Sequence, residues 1–200
     1  IHSMIESNLK YEFSFTASSL RVNDMVLFAT KYLNEGVMEF NSDKGTTNKR
    51  MVSEFKKRID NLTANQQELF VNSNFSTQRS LAFLSACKTY SLLRDFVIEV
   101  VREKYLIMDF SLIDTDYLSF IRRKEIDHDE LANLSEQTQG KVKQVIFKIL
   151  EQAGILNNIK DREIQLQILD QPVMEVIIED SPEWLMIFMM SDYDIQKISI

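Results

Sequence analysis

Apolar residues recur every three to four positions over most of this 200-residue chain, the spacing of a helix with one buried face. Ser18 and Ser19 offer N-caps for a first helix to about Asn34, ended by Gly36, with Leu20, Leu27, Tyr32 and Leu33 inward. A second helix, about Asn48 to Asn61, is basic outside and apolar at Met51, Phe55 and Ile59. Thr63 caps a short third one that buries Leu69 and Phe70. Ser76 opens a long stretch to about Met108, breaking near Thr89. Its apolar arc (Leu81, Leu84, Leu93, Phe96, Val97, Val100, Val101, Tyr105) is wide enough for a central spine.

The register changes over 109–116, where a domain boundary is expected. Asp114 caps a helix from Thr115 to Lys124, and a polar link leads to a short helix near Leu131. Thr138 to Ala153 follows, stopped by Gly154. Ile164, Leu166 and Ile168 then alternate with polar residues, which predicts a short strand. Asp170 with Pro172, and Ser181 with Pro182, each announce a further helix, the second reaching Met190 through Trp184, Leu185, Phe188 and Met189. With only four Gly and two Pro, a turn-rich β fold is disfavoured. The expected class is all-α: two packed helical subdomains with helix-turn-helix or winged-helix-like elements, and at most a strand or hairpin near 163–169. The expected division is a flexible N-terminal segment 1–12, a helical domain 13–109, and a helix-turn-helix-like domain 110–200 with an acidic end.

Composition narrows the setting. A lone cysteine, Cys87, lies in an apolar run and excludes an intrachain disulfide. No run approaches the roughly 18 apolar residues that span a bilayer, and no signal-peptide core stands near the start, where Met4 is the expected initiator. A cytoplasmic monomer is expected, with no membrane partner. The net charge of −7 is unevenly spread: residues 1–150 hold 20 basic and 20 acidic residues, whereas 151–200 hold 3 and 10. The basic clusters of the first part therefore keep their local field. One runs through Lys49, Arg50, Lys56, Lys57 and Arg58, another through Arg122 and Arg123.

The helix from Thr138 to Ala153 sharpens this picture. Val142, Val145, Ile146, Ile149 and Leu150 share one face; Lys141, Gln144 and Lys148 share the opposite one, with Lys143 on a flank. A short helix, this helix and then a strand give the order of a winged helix-turn-helix, which offers its second helix to the DNA major groove. Thr138 stands near the free N–H groups of the entry turn, which attract phosphate. The competing reading is a plain solvated face, and periodicity alone does not choose. Catalysis finds no footing: the chain has no nucleophile elbow and no phosphate-binding glycine loop. Asp127, His128, Asp129 and Glu130 have metal-ligand chemistry, but adjacent residues rarely converge on one ion, so turn and capping roles are expected. No cofactor is expected.

Three stretches carry a family resemblance: Tyr11 to Leu20 (YEFSFTASSL), Leu81 to Leu106 with its REKYL end, and His128-Asp-Glu-Leu131 followed by Thr138 to Leu156. Together they resemble the BrxA family of bacteriophage exclusion (BREX) systems. The resemblance implies a small helical protein that binds double-stranded DNA with little sequence preference and has no enzymatic role. It would work beside a methyltransferase, an ATPase and other defence components. Within the matched stretches Thr138, Lys141 and Lys143 are the first expected phosphate contacts, with Gln144 and Lys148 further along and Arg21 following the first motif. Two other classes remain open: an adaptor docking defence proteins through its acidic last quarter, and a helical RNA-binding factor.

Overall fold

A computed structural model describes residues 10–38 and 45–198 of the chain. A 3-10 turn, Ser14–Ala17, precedes α1 (Val22–Glu35), α2 (Gly45–Asp60), α3 (Ala64–Asn72), α4 (Phe75–Thr89) and α5 (Ser91–Phe96). A π-helical segment, Val97–Arg102, joins α5 to α6 (Glu103–Leu106). Then come α7 (Asp114–Lys124), α8 (Asp129–Ala132), α9 (Glu136–Gln152), α10 (Gln171–Asp180), a 3-10 segment Pro182–Phe188 and α11 (Asp192–Ile198). The fold is all-α, with no strand among the described residues.

Local chemistry sets the helix ends. Thr63 begins α3 with a reciprocal capping box: its hydroxyl accepts from the Gln66 N–H, and the Gln66 side chain accepts from the Thr63 N–H. Asn74, not Ser76, caps α4 by accepting from the Thr77 N–H at 3.1 Å. The expected break near Thr89 falls at Tyr90, whose extended backbone separates α4 from α5. Seven consecutive residues of α4, Leu81 to Cys87, are buried, so this helix is enclosed on all sides and forms the spine. The buried side chains of both halves of the chain, from Tyr11 to Ile195, join in one apolar cluster.

Three expectations are corrected. The first helix starts at Val22 rather than at Ser18 or Ser19, because Arg21 before it is in the left-handed region (φ 45°). Its inward face is Val22, Met25, Phe28 and Ala29, and Leu27 points to solvent. The alternating Ile164, Leu166 and Ile168 make no strand. Two isolated antiparallel bridges, Ser111 to Glu163 and Leu156 to Ile164, are all the pairing formed there. Beyond Pro182 the helix is 3-10, stopped by left-handed Met189 (φ 67°), and α11 follows unannounced by any strong pattern.

Gly154 ends α9 as its position predicts. It has φ +74°, and a Cβ there would lie 3.0 Å from Arg79 Nη1. Gly154→Ala should therefore lower stability by about 1–2 kcal/mol, mostly through the left-handed backbone. A Cβ added at Gly140, inside α9, would meet nothing within 4 Å, so Gly140→Ala should raise stability by up to about 1 kcal/mol. Urea denaturation of the two variants beside wild type checks both signs.

Candidate nucleic-acid interface

Ser135 opens α9, its hydroxyl accepting from the Thr138 N–H at 3.3 Å and lying 2.9 Å from the Thr138 hydroxyl. Val142, Val145, Ile146, Phe147, Ile149 and Leu150 are buried against the core. Gln137, Gly140, Lys141 and Gln144 make the opposite, exposed stripe at helical spacing. Lys141 Nζ donates to Gln144 Oε1 at 3.2 Å, and no carboxylate pairs with it among the described residues.

The segment after α9 is fastened to this helix. The Gln165 N–H donates to the Ile155 carbonyl and the Asn157 N–H to the Glu163 carbonyl, while 162–164 also bond to 110–112. The tight turn between is held by Asn158, whose side chain accepts from the N–H groups of Lys160 and Asp161. Arg162 closes it in a left-handed conformation (φ 55°), with its guanidinium 4.4 Å from the centre of the Phe147 ring of α9. The same guanidinium bonds Asp114 at the start of α7, which also pairs with Lys143 at 2.9 Å. Arg162 first and Lys143 second hold the Asp114 carboxyl below its usual range. One carboxylate thus ties α7, α9 and the turn together.

Of the expected contact residues, Thr138 is half-buried and Gln144 exposed on α9, and the cations divide into three groups. Lys49, Arg50, Arg122, Arg123 and Lys141 are exposed, and no ion pair engages any of them among the described residues. Others are already engaged on the surface. Arg21 pairs with Asp24, Lys56 with Asp60, Lys57 with Glu12 and Glu54, Lys143 with Asp114, and Lys148 with Glu151. Arg58 forms the third group alone and is a correction. It is fully buried, donating from Nε to the Tyr90 hydroxyl (3.0 Å), from Nη1 to the Ser19 carbonyl (2.9 Å) and from Nη2 to the Ser18 carbonyl (2.6 Å). It has no surface from which to reach a phosphate.

Two features carried no clear sequence signal. Gly140 leaves the middle of the exposed α9 stripe bare, and exposed Lys160 sits in the tight turn. The first could have been found by extending the outer face of Lys141 and Gln144 back by one turn, the second only once the turn is seen beside α9.

His128 is buried and structural in its contacts. Its ring stacks on Tyr11 at 3.9 Å between centres, and Nδ1 lies 3.0 Å from Glu130 Oε1. Burial would raise the Glu130 carboxyl, but the Tyr11 N–H (2.6 Å) and the imidazole hold it below its usual value. An open pocket of about 420 Å³ lies beside it, lined by Lys10, Asp127, His128, Asp129, Glu130 and Asn133. No cluster able to hold a metal ion occurs among the described residues. The acidic last quarter is partly spent within the molecule: Asp192 pairs with Arg102 (2.8 Å), Asp180 with Lys88 (2.7 Å), and Asp170 accepts from the Thr77 hydroxyl (3.0 Å). No helix among the described residues is long and apolar enough to cross a membrane.

A model of the BrxA family matches residues 9–181, a span that takes in all three stretches singled out above. The chain belongs to this family. It is also 28% identical over 148 residues, 74% of this chain and 73% of the other, to a BREX protein BrxA of Bacillus cereus (strain H3081.97). Its fold is similar to that of an uncharacterized protein from Magnetospirillum magneticum solved by crystallography. The TM-score is 0.77 at 16% identity, covering 91% of this chain and 99% of that one. At that identity the likeness concerns the fold alone.

Two measurements test the assignments around the interface. Arg58→Ala should cost about 3 kcal/mol or more, because it strands the Ser18 and Ser19 carbonyls and the Tyr90 hydroxyl in the interior. A urea midpoint within error of wild type would remove that role. Asp114→Asn should cost about 0.5–1 kcal/mol at neutral pH, modest because the carboxylate is largely exposed. Since the folded pKa is lowered, this stabilisation is present above the unfolded value of about 3.9 and is lost as pH falls below it. The urea midpoints of wild type and variant should therefore differ at pH 7 and converge in acid.

Proposed function

We propose that the chain is a non-enzymatic, double-stranded DNA-binding component of a BREX-type anti-phage system, gripping phosphates with little sequence preference. Membership of the BrxA family, and a relative named as a BREX protein, support the defence setting. The observation that carries DNA binding is the outer stripe of α9: exposed Gln137, Gly140, Lys141 and Gln144, with no carboxylate pairing the lysine among the described residues. Glycine within a helix is about 1 kcal/mol less favourable than alanine, and packing does not require it here. A bare position on an exposed helix suits close approach by a ligand backbone.

The surroundings favour the same reading. Segment 110–112, α7, α8, α9, segment 155–157, the tight turn and segment 162–165 follow in the order of a winged helix, with α9 as recognition helix and the turn as wing. Lys160 in that turn, Arg122 and Arg123 on α7, and Lys49 and Arg50 on α2 are further exposed cations that no carboxylate pairs among the described residues. The adaptor reading is the weaker one, because Asp170, Asp180 and Asp192 are engaged by the chain itself.

A mobility-shift titration with a duplex of about 30 base pairs at about 50 and 200 mM salt tests this. Wild-type affinity should fall by orders of magnitude between the two. Lys141→Glu should weaken binding to all duplex sequences alike and lower the salt slope by about one. Gly140→Leu should weaken binding with the fold intact by circular dichroism. No wild-type binding at the lower salt would overturn the proposal. Equal affinity for duplex RNA would transfer it to the RNA-binding class.

A further inference from the structure

Arg79 Nε, on the second turn of α4, is the only buried side-chain nitrogen or oxygen among the described residues that lacks a hydrogen-bond partner. No hydrogen bond or ion pair reaches the rest of its guanidinium either, and Nη1 and Nη2, unlike Nε, are open to solvent. Buried polar groups are satisfied with few exceptions, so an orphaned guanidinium calls for a reason.

The side chain is held in place by its surroundings. It lies across Gly154 at the end of α9, where a Cβ would stand 3.0 Å from Nη1 and 3.1 Å from Cζ. The Gly154 carbonyl accepts instead from the Gln167 side chain at 2.9 Å. Acids on the adjoining segments are engaged elsewhere: Glu151 pairs with Lys148, and Asp170 accepts from the Thr77 hydroxyl. A charged fork is thus set against backbone at the surface, while its own chain directs carboxylates to other donors.

The neighbouring residues select among anions. Phe75, one turn earlier on α4, is 52% exposed, and Leu166 and Ile168, on either side of Gln167, are 68% and 79% exposed. Residues 151–200 hold only 3 basic residues against 10 acidic ones, a setting that repels a polyphosphate. A single carboxylate on an apolar carrier suits it. Arginine beside exposed apolar side chains is also the composition of a protein-binding hot spot. Gly154 lies roughly 20 Å along α9 from Gly140, so this place is separate from the stripe proposed to meet DNA.

We propose that Arg79 receives a carboxylate side chain of a partner protein, an acidic residue flanked by apolar ones that cover Phe75, Leu166 and Ile168. The planar fork takes both carboxylate oxygens through Nη1 and Nη2. In the free chain the same guanidinium costs stability, as binding groups commonly do.

Nitrogen-15 spectra of the arginine Nε–H groups, recorded without DNA, test this independently of the DNA-binding proposal. Arg79→Lys identifies the Arg79 signal by its loss. The probes are N-acetyl-Leu-Glu-Leu-amide, its Leu-Gln-Leu counterpart and inorganic phosphate, at equal ionic strength. The glutamate peptide should shift the Arg79 Nε–H and Gly154 N–H signals saturably at millimolar concentration. The glutamine peptide should bind about tenfold more weakly, for want of a charge-assisted hydrogen bond. In Arg79→Met the Gly154 signal should no longer distinguish the two peptides. The urea midpoint of Arg79→Met should equal or exceed that of wild type, because the substitution removes no bond. No saturable shift, equal binding of the two peptides, tighter binding of phosphate, or a fall in that midpoint would overturn the proposal.

Discussion

A guanidinium buried in an apolar core must find acceptors or unfold its surroundings, and Arg58 dictates how the chain just before α1 lies against α2. Its three hydrogen bonds go to the Ser18 and Ser19 carbonyls and to Tyr90. The Tyr90 hydroxyl donates in turn to Glu54, one helical turn before Arg58 on α2. The carbonyls it captures belong to the chain before α1, so the segment from Tyr11 to Arg21 lies as a strap instead of beginning the helix early. The same strap donates from the Leu20 N–H to Gln152 on α9 and stacks Tyr11 on His128 beside α8. The buried charge on α2 therefore reaches the helix proposed to meet DNA through one ordered length of backbone.

This explains which parts of the fold were legible in the sequence. Where burial and local capping agree, as in α3 with Thr63 and Gln66 or α9 with Gly154, periodicity located the element to within a residue or two. Where a distant side chain takes the backbone, it failed: Ser18 and Ser19 look like caps, but Arg58, forty residues on, holds their carbonyls. Period-2 alternation at 164–168 likewise describes a strand that has a partner only at its first residue within one chain. The alternation was real, but the neighbouring segments 110–112 and 155–157 reach only as far as Gln165, so no ladder extends past it.

The candidate site shows the same division. The sequence put Thr138, Lys141 and Lys143 first and the other clusters behind them on charge alone, without weighing which cations are already neutralised. In the fold Arg58 leaves the surface, and Lys56, Lys143 and Lys148 acquire carboxylates. An exposed ion pair contributes roughly 0–1 kcal/mol, so these lysines are not lost to a phosphate, but each must exchange one anion for another. Lys141, Arg122, Arg123, Lys49 and Arg50 need make no such exchange. Helical spacing marks Lys56 with Asp60 and Lys148 with Glu151 as neighbours, whereas the pairing of Lys143 with distant Asp114 appears only in the fold.

The net charge of −7 then ceases to conflict with a DNA partner. Much of the excess acid lies at the end of the chain, where Asp170, Asp180 and Asp192 bind α4 and the π segment before α6. There the carboxylates join the last quarter to the spine, on elements other than the outer stripe of α9. What repels phosphate is the local field within a Debye length of about 8 Å, and around Lys141 that field is set by α9 and the adjoining turn. Glu136 at the start of α9 is the acid nearest in sequence to that stripe, and Glu151 further along the helix is already paired with Lys148. Their presence argues for a contact made by a few well-placed donors and a bare glycine, not by a broad basic surface. Such a contact would fix the protein's position on the duplex through a few phosphates and leave base identity unread.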